Sequence, residues 1–290
     1  MIRVKIMRAL KVLRQKPQIF FRLSGIRRED FDDLAPKVQP LWEQHRQKRL
    51  FRKNRERLAG GGRKPELAFE AQLLMCLIYY RTYISHEFLG LLFGVSDSTS
   101  IRVVNAMTKV LAKHFRMPER AIRLSEEEKA ELIYLMVDGT ERPVQRPQKP
   151  GLRKKSYSGK KKRHTVVHQI VTDDKKRILA VGPAQDGRKH DKRIYDESRL
   201  EKPPDALVLG DLGYQGTRLE TPIKKPKNGE LSKEDKKYNK WFSGLRIGVE
   251  HAIGRMKKFK IFADIHRGNG LQNMIVKNVA ALANINLKIA

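Results

Sequence analysis

Two short apolar runs each lead into an aspartate: residues 132–137 (LIYLMV) into Asp138-Gly139, and residues 206–210 (ALVLG) into Asp211. Ligands of open α/β sheets bind beyond the carboxyl ends of strands. Two carboxylates brought together there repel and raise a pKa, which a divalent cation relieves. Oxygen ligands select magnesium or manganese. The expectation is that the two strands are parallel neighbours, each finishing at its aspartate. The rival reading is that each aspartate merely begins a turn. A third piece is RIGVEHAIGRMKKFKIF at 246–262, whose period is helical, with Ala252, Met256, Phe259 and Ala263 on one apolar stripe. Arg246, Glu250 and Lys257, at offsets of 0, 4 and 11, share a polar stripe. Gly254 lies on it and leaves room for close approach. An acid between two cations is either a surface ion-pair ladder or a metal ligand flanked by phosphate-binding groups. Its place after the Asp211 strand favours the second.

These residues need a sheet and a helix to position them. HTVVHQIV (164–171) and ILAVG (178–182) read as two further strands joined by a turn at 172–175. A helix follows at about 191–200, and helices close the chain. Strand, hairpin, helix, strand, helix describes a mixed α/β domain. Residues 141–159 and 222–239 read as basic loops. Eight cations and no acid lie between Lys149 and His164, Lys160, Lys161, Lys162 and Arg163 among them, which favours phosphate contact over a merely solvated loop. His164 and His168 have a metal-like spacing but fall on a strand, and a structural role outweighs zinc. Asp186 and Asp191 flank a lysine–histidine pair and are the reserve acids, a supporting element around the site. Tyr238 and Trp241 are candidates for stacking on a base or for packing.

The chain has 290 residues and a formal net charge of +30, with 62 lysines and arginines against 32 acids. Such a charge spread along the whole chain points to nucleic acid rather than a membrane surface. Hydrophobic residues make up 40%, enough for a packed core. One cysteine, Cys76, excludes an intramolecular disulfide framework and a multi-cysteine zinc ribbon, and its apolar helix makes it core. The longest apolar run, LLMCLIYY at 73–80, is far short of the roughly 18 residues of a membrane span. A cytoplasmic, nucleoid-associated location is expected.

Upstream, Gly60-Gly61-Gly62-Arg63-Lys64-Pro65 reads as a linker. Three regions are expected: a basic helical region at 1–59, a helical DNA-binding domain at 60–125 and a catalytic domain at 126–290. In the first, a helix from about Arg28 to Trp42 is expected to be kinked or broken at Pro36 and Pro40. The basic run RQKRLFRKNRER after it reads equally as a solvated face or a phosphate-contacting arm. In the second, a helix at 67–83 precedes one capped by Ser85 and ending at Phe93, a Gly94-Val95 turn, and a third helix capped by Ser96. That is the helix–turn–helix plan, in which the second helix of the pair enters the major groove. Ser98, Thr99, Arg102 and Asn105 are its groove-facing candidates. Ser100 stands where such motifs usually bury an aliphatic side chain, and a plain three-helix bundle is the alternative.

The chain resembles the DDE transposases of bacterial insertion sequences, in the insertion-sequence-five family. The resemblance rests on VDGTE (137–141), SGKKKRHTVVHQ (158–169), GDLGYQG (210–216), RIGVEHAIGRMKKF (246–259) and the helix–turn–helix stretch. It implies an RNase H-like mixed-sheet catalytic domain preceded by an all-α helix–turn–helix region. It also implies that Asp138, Asp211 and Glu250 are the acidic triad that binds two magnesium or manganese ions. Arg246 and Lys257 then contact DNA. Ser243 occupies the place of a tyrosine in the family's related signature. The implied activity is binding of the element's terminal inverted repeats, then metal-dependent cleavage and strand transfer on double-stranded DNA, by a homodimer or larger synaptic assembly. Two alternatives lack catalysis, a helix–turn–helix regulator and a domesticated transposase. A general RNase H-like nuclease is a third.

Overall fold

A computed structural model describes residue 13 and residues 15–50, 67–267 and 270–287. The expected glycine linker and most of the basic arm lie outside the described residues. The chain divides into two compact units: Met1–Arg116 with Lys258–Ile261, and Met117–Lys257 with Phe262–Ala290.

The first unit is all helix: α1 (Pro17–Ser24), α2 (Arg28–Leu50), α3 (Phe69–Thr82), α4 (His86–Phe93) and α5 (Asp97–Phe115). Helix α3 is buried from Gln72 through Tyr80, Cys76 included, so it forms the centre of the bundle. Its Tyr80 hydroxyl donates to Thr108 Oγ1 of α5 at 2.8 Å. Helix α2 is one element with Pro36 and Pro40 inside it, not a broken pair. Both prolines sit on its exposed side, whereas Phe31, Leu34, Ala35, Val38 and Trp42 are buried. The buried stripe holds the helix together, and carbonyls deprived of a partner on the exposed side can meet water.

The α4–turn–α5 pair follows local chemistry closely. Ser85 Oγ accepts from Phe88 N at the start of α4, and Ser96 Oγ accepts from Thr99 N at the start of α5. Gly94 closes α4 at φ +66°, a conformation costly for a residue with Cβ. Ser100 is fully buried, as the motif requires of an apolar residue there, and its hydroxyl meets His86 Nδ1 at 2.9 Å. A satisfied hydroxyl is tolerated where an orphaned one is not.

The second unit is mixed α/β. It contains α6 (Glu126–Ala130), β1 (Leu135–Pro143), α7 (Pro150–Ser156), β2 (Tyr157–Ser158), β3 (Arg163–Asp173), β4 (Ile178–Val181) and β5 (Gln185–Asp186). Then come α8 (Asp191–Ser198), β6 (Val208–Leu209), a 3-10 turn (Leu212–Tyr214), α9 (Lys233–Lys257), α10 (Lys260–Ala263) and α11 (Gln272–Ile285). Strands run in the order β2-β3-β1-β6, with β4 and β5 also on β3. All pairs are antiparallel except β1–β6, where Leu135 faces Val208 and Met136 faces Leu209 in parallel register. Leu135, Val137, Val171, Ala180, Val208, Tyr214 and Leu219 form a buried core cluster in this unit. The Asn284 amide of α11 bonds both ways to Ile178 of β4, at 2.9 and 2.8 Å, covering a strand edge that would otherwise be open.

Three expectations need correction. Strand β1 does not finish at Asp138 but runs on to Pro143, because the eleven-residue β3 pairs with it residue for residue from Leu135↔Asp173 to Pro143↔Thr165. The two basic loops are partly ordered: 150–156 is helix α7, and α9 begins at Lys233. The closing helix stops at Lys257 rather than continuing through Phe262. Beyond that point the Lys258 carbonyl accepts from Arg81 Nη1 at 2.6 Å, and Phe259 packs in the first unit beneath Gly25 and Arg81.

Candidate active site

The parallel β1–β6 pair brings the two sequence-predicted aspartates together. Asp138 lies mid-strand on β1, and its carboxylate accepts from Gly139 N at 2.8 Å. Asp211 follows β6 and caps the 3-10 turn, accepting from Gly213 N at 2.8 Å. Burial first, and the nearby Asp211 charge second, push the Asp138 carboxyl up to about 6, although Arg246 and the Gly139 amide pull the other way. This is the electrostatic signature of carboxylates sharing a site.

Asp191, one of the reserve acids, joins them from the first turn of α8. A Cβ placed on Gly139 would stand 2.1 Å from Asp191 Oδ1, so a glycine is what lets this carboxylate lie against β1 beside Asp138. Burial, and after it the Asp211 charge, raises the Asp191 carboxyl, while Lys160 lowers it. Asp186, the other reserve acid, is exposed on β5. Tyr214 lies below the aspartates, fully buried, and burial followed by Asp191 and Asp138 raises its hydroxyl's pKa. The Tyr214 hydroxyl and the neighbouring Gln169 amide nitrogen are both buried without a completed hydrogen bond.

Glu250 is placed differently. It is exposed on α9, and Arg246 Nη2 donates to its Oε1 at 2.8 Å. Arg246 also acts electrostatically on Asp138, so one cation faces both acids. Lys257, at the end of α9, is exposed, and a Cβ added at Gly254 would meet nothing within 4 Å. Among the described residues no group of three or more histidine, cysteine, aspartate or glutamate side chains is arranged to hold a metal ion. By donor chemistry Asp138 and Asp211 fit a hard divalent cation, being half-buried like charges that offer oxygen ligands. Glu250 is engaged in its ion pair.

Beside Asp191 and Gly139 opens a cavity of about 1090 Å³. Arg146, Arg153, Lys154, Lys160, Arg188 and Lys189 line it, with Glu141 the other acid at its wall. Lys189 is ion-paired to Glu197. Among the described residues the other five cations form no ion pair with a side chain, and Arg153 Nε is a buried donor without an acceptor. Tyr157 also lines the cavity, 42% exposed, with its ring edge-on to His164 at 5.6 Å.

Of the expected basic loop, Lys160 faces this cavity, whereas Arg163 lines a separate depression with Gln145 and Arg267. Lys161 and Lys162 are exposed in the turn between β2 and β3, where Lys162 has φ +52°. His164 bonds Ser156 Oγ and His168 the Gly182 carbonyl, each at 3.0 Å, as structural residues do. Trp241 is 54% exposed beside Tyr238. Sequence reasoning did not single out Arg188, Tyr157 or Tyr214. The basic run ahead of Asp191, GRKHD at 187–191, was the available signal for the first.

On α5, Ser98, Arg102 and Asn105 are exposed along one face. Thr99 is half-buried within the cap, and its hydroxyl accepts from Arg102 Nη2 at 3.1 Å.

Two family descriptions match the chain. "DDE superfamily endonuclease" matches residues 137–284, and "Helix-turn-helix of DDE superfamily endonuclease" matches residues 65–116. A probable transposase for insertion sequence element IS702 of Microchaete diplosiphon is 34% identical over 272 residues, covering 90% of this chain and 92% of that protein. A putative transposase for insertion sequence element IS112 of Streptomyces albus G is 30% identical over 231 residues, covering 78% of this chain and 83% of that protein. No solved structure matches. Among the described residues no helix is long and apolar enough to cross a membrane. The chain belongs to the DDE endonuclease superfamily, as a transposase with a helix–turn–helix DNA-binding region ahead of its catalytic domain.

Proposed function

We propose that the chain binds the terminal inverted repeats of its own element and catalyses metal-dependent strand cleavage and strand transfer. Asp138, Asp211 and Glu250 are its acidic triad. The observation that carries this reading is the parallel β1–β6 pairing, which brings Asp138 and Asp211 within electrostatic reach of each other and Asp138 within reach of Arg246.

Magnesium or manganese, as two ions, would be held by these carboxylates and would supply Lewis-acid stabilisation of charge at phosphorus. Ser98, Arg102 and Asn105 of α5 meet base edges and phosphates of the element end. Arg246 and Lys257 hold phosphates along α9, and Lys160, with Lys161, Lys162 and Arg163 near it in sequence, anchors the strand beside the site. Asp191, whose carboxyl is raised and which is not one of the proposed ligands, takes up the proton of the attacking oxygen. In the first step a water oxygen forms a bond to phosphorus, the phosphorus–O3′ bond breaks, and the element end leaves as a 3′-hydroxyl. In the second, that hydroxyl forms a bond to a target phosphorus and displaces the target's own O3′. No protein nucleophile is needed. Handling two ends at once calls for a homodimer or larger assembly acting on DNA in the cytoplasm.

A regulator or domesticated protein without catalysis is the second reading, and the Arg246–Glu250 ion pair is the observation that favours it. The test is cleavage and joining on DNA carrying the element's flanks, with magnesium or manganese. Wild type is compared with Asp211→Asn and Glu250→Gln. Specific 3′-end cleavage and strand transfer, lost in both variants, is the expected result. Tight flank binding with no metal-dependent cutting would replace the proposal with the regulator reading. Full activity in Glu250→Gln would remove Glu250 from the triad.

A further inference from the structure

We infer that the basic cavity beside Asp191 takes one unpaired DNA strand, released from its complement at the end of a duplex, with a base stacked on Tyr157. The inference rests on the proposal that DNA is the substrate and adds the form in which it enters.

Size is the first argument. A cavity of about 1090 Å³ is of the order that encloses a small organic ligand, roughly 300–1,000 Å³. That is room for a few nucleotides. A duplex is instead read by elements laid into its grooves, the major one about 12 Å wide. The second argument is charge without internal partners. Arg146, Arg153, Lys154, Lys160 and Arg188 converge on the cavity with no side-chain ion pair among the described residues. Arg153 Nε is a buried donor with no acceptor, which a phosphate oxygen would supply. The third argument is the aromatic. An exposed ring among cations is the combination that holds single strands, with phosphates on the cations and bases on the ring. Tyr157 is such a ring, fixed edge-on by His164. The acids are confined to the wall at Glu141 and Asp191, where Gly139 leads to Asp138. A strand threaded here would therefore bring its phosphodiester to the carboxylates.

The test uses the full chain in EDTA, so that binding is read without cutting. Two fluorescent duplexes carry the element's flank, one fully paired and one with its last three base pairs mismatched and a 2-aminopurine in the unpaired strand. We expect the frayed duplex to bind about tenfold more tightly, within the range that stacking one base provides, with the 2-aminopurine quenched on binding. Tyr157→Ala loses both the preference and the quenching, whereas Tyr157→Phe keeps both. Arg102→Ala weakens both duplexes alike. Equal affinity of wild type for the two duplexes overturns the inference, as does unchanged quenching in Tyr157→Ala. Binding of neither duplex overturns it together with the proposed function. A preference for the frayed end without metal-dependent cleavage in the separate assay would sink only the catalytic reading.

Discussion

Replacing Asp138 by asparagine should stabilise the metal-free protein at neutral pH. Its carboxyl is held at about 6 in the folded chain, against 3.8 for an ordinary aspartate. At about 1.36 kcal/mol per pH unit, ionising it in place costs about 3 kcal/mol. The folded state keeps this proton to higher pH than the unfolded state does. Stability therefore falls as pH climbs from about 4 to about 6, and the loss is complete above that. Asparagine has nearly the same shape, still accepts from Gly139 N and carries no charge. Asp138→Asn should gain about 3 kcal/mol at pH 7.5, roughly 6–12 °C in Tm for a domain of this size, and about half as much at pH 5. His168 and His266, each held near 4 mainly by burial, move stability with pH in the opposite sense. The readout is thus the difference between variant and wild type, measured by thermal melts in EDTA at both pH values. Manganese at about a hundred times its Kd should return about 2.7 kcal/mol to wild type and little to the variant. A variant no more stable than wild type at pH 7.5, or a gain that does not shrink at pH 5, would refute the reasoning.

Gly139→Ala should cost about 1–3 kcal/mol, because its new methyl meets the Asp191 carboxylate. Adding Asp191→Ala should restore most of that loss, a coupling that urea denaturation of the four members of the cycle measures. Ser96→Ala removes the cap on Thr99 N and should cost about 1 kcal/mol by the same assay. Arg102→Ala should weaken flank DNA binding and reduce the slope of log affinity against log salt by about 1, read by anisotropy titrations at several salt concentrations. An unchanged slope would mean that Arg102 makes no phosphate contact.

What the sequence disclosed and what it hid divide along the range of the interactions involved. Ser85, Ser96 and Gly94 could be placed because a cap or left-handed turn is decided within four residues. Asp138 was placed on a strand but at the wrong point of it, because the length of β1 is set by a partner some thirty residues away. The fates of Pro36 and Pro40 likewise turned on a buried stripe whose other side is in α3 and α5, not on the local cost of proline. Asp191 stood in the sequence only as a reserve acid. Its position depends on Gly139 lacking a side chain, a fact about two elements meeting. Tyr157 gave no periodic signal at all, and only the cavity around it gives its exposure a meaning.

Arg246 ties these observations into one electrostatic problem. The catalytic domain gathers Asp138, Asp191 and Asp211 around the β1–β6 pair, and burial together with the Asp211 charge makes ionising Asp138 and Asp191 costly. A helix that carried only Glu250 toward them would add to that cost. Arg246, one turn earlier on the same face, offsets it by acting on Asp138 while bonding Glu250. Its Nε is buried without an acceptor, so the guanidinium is not saturated by the glutamate. A planar fork with a donor in reserve is suited to a phosphate, which lysine would meet only as a point charge. A phosphate that draws Arg246 away would free Glu250 as it arrives, so substrate binding and completion of the proposed triad would become the same event. Arg246→Lys should then keep much of the fold's stability yet lose strand cleavage far more than flank binding. Loss of both in proportion would reduce Arg246 to one more contact for DNA.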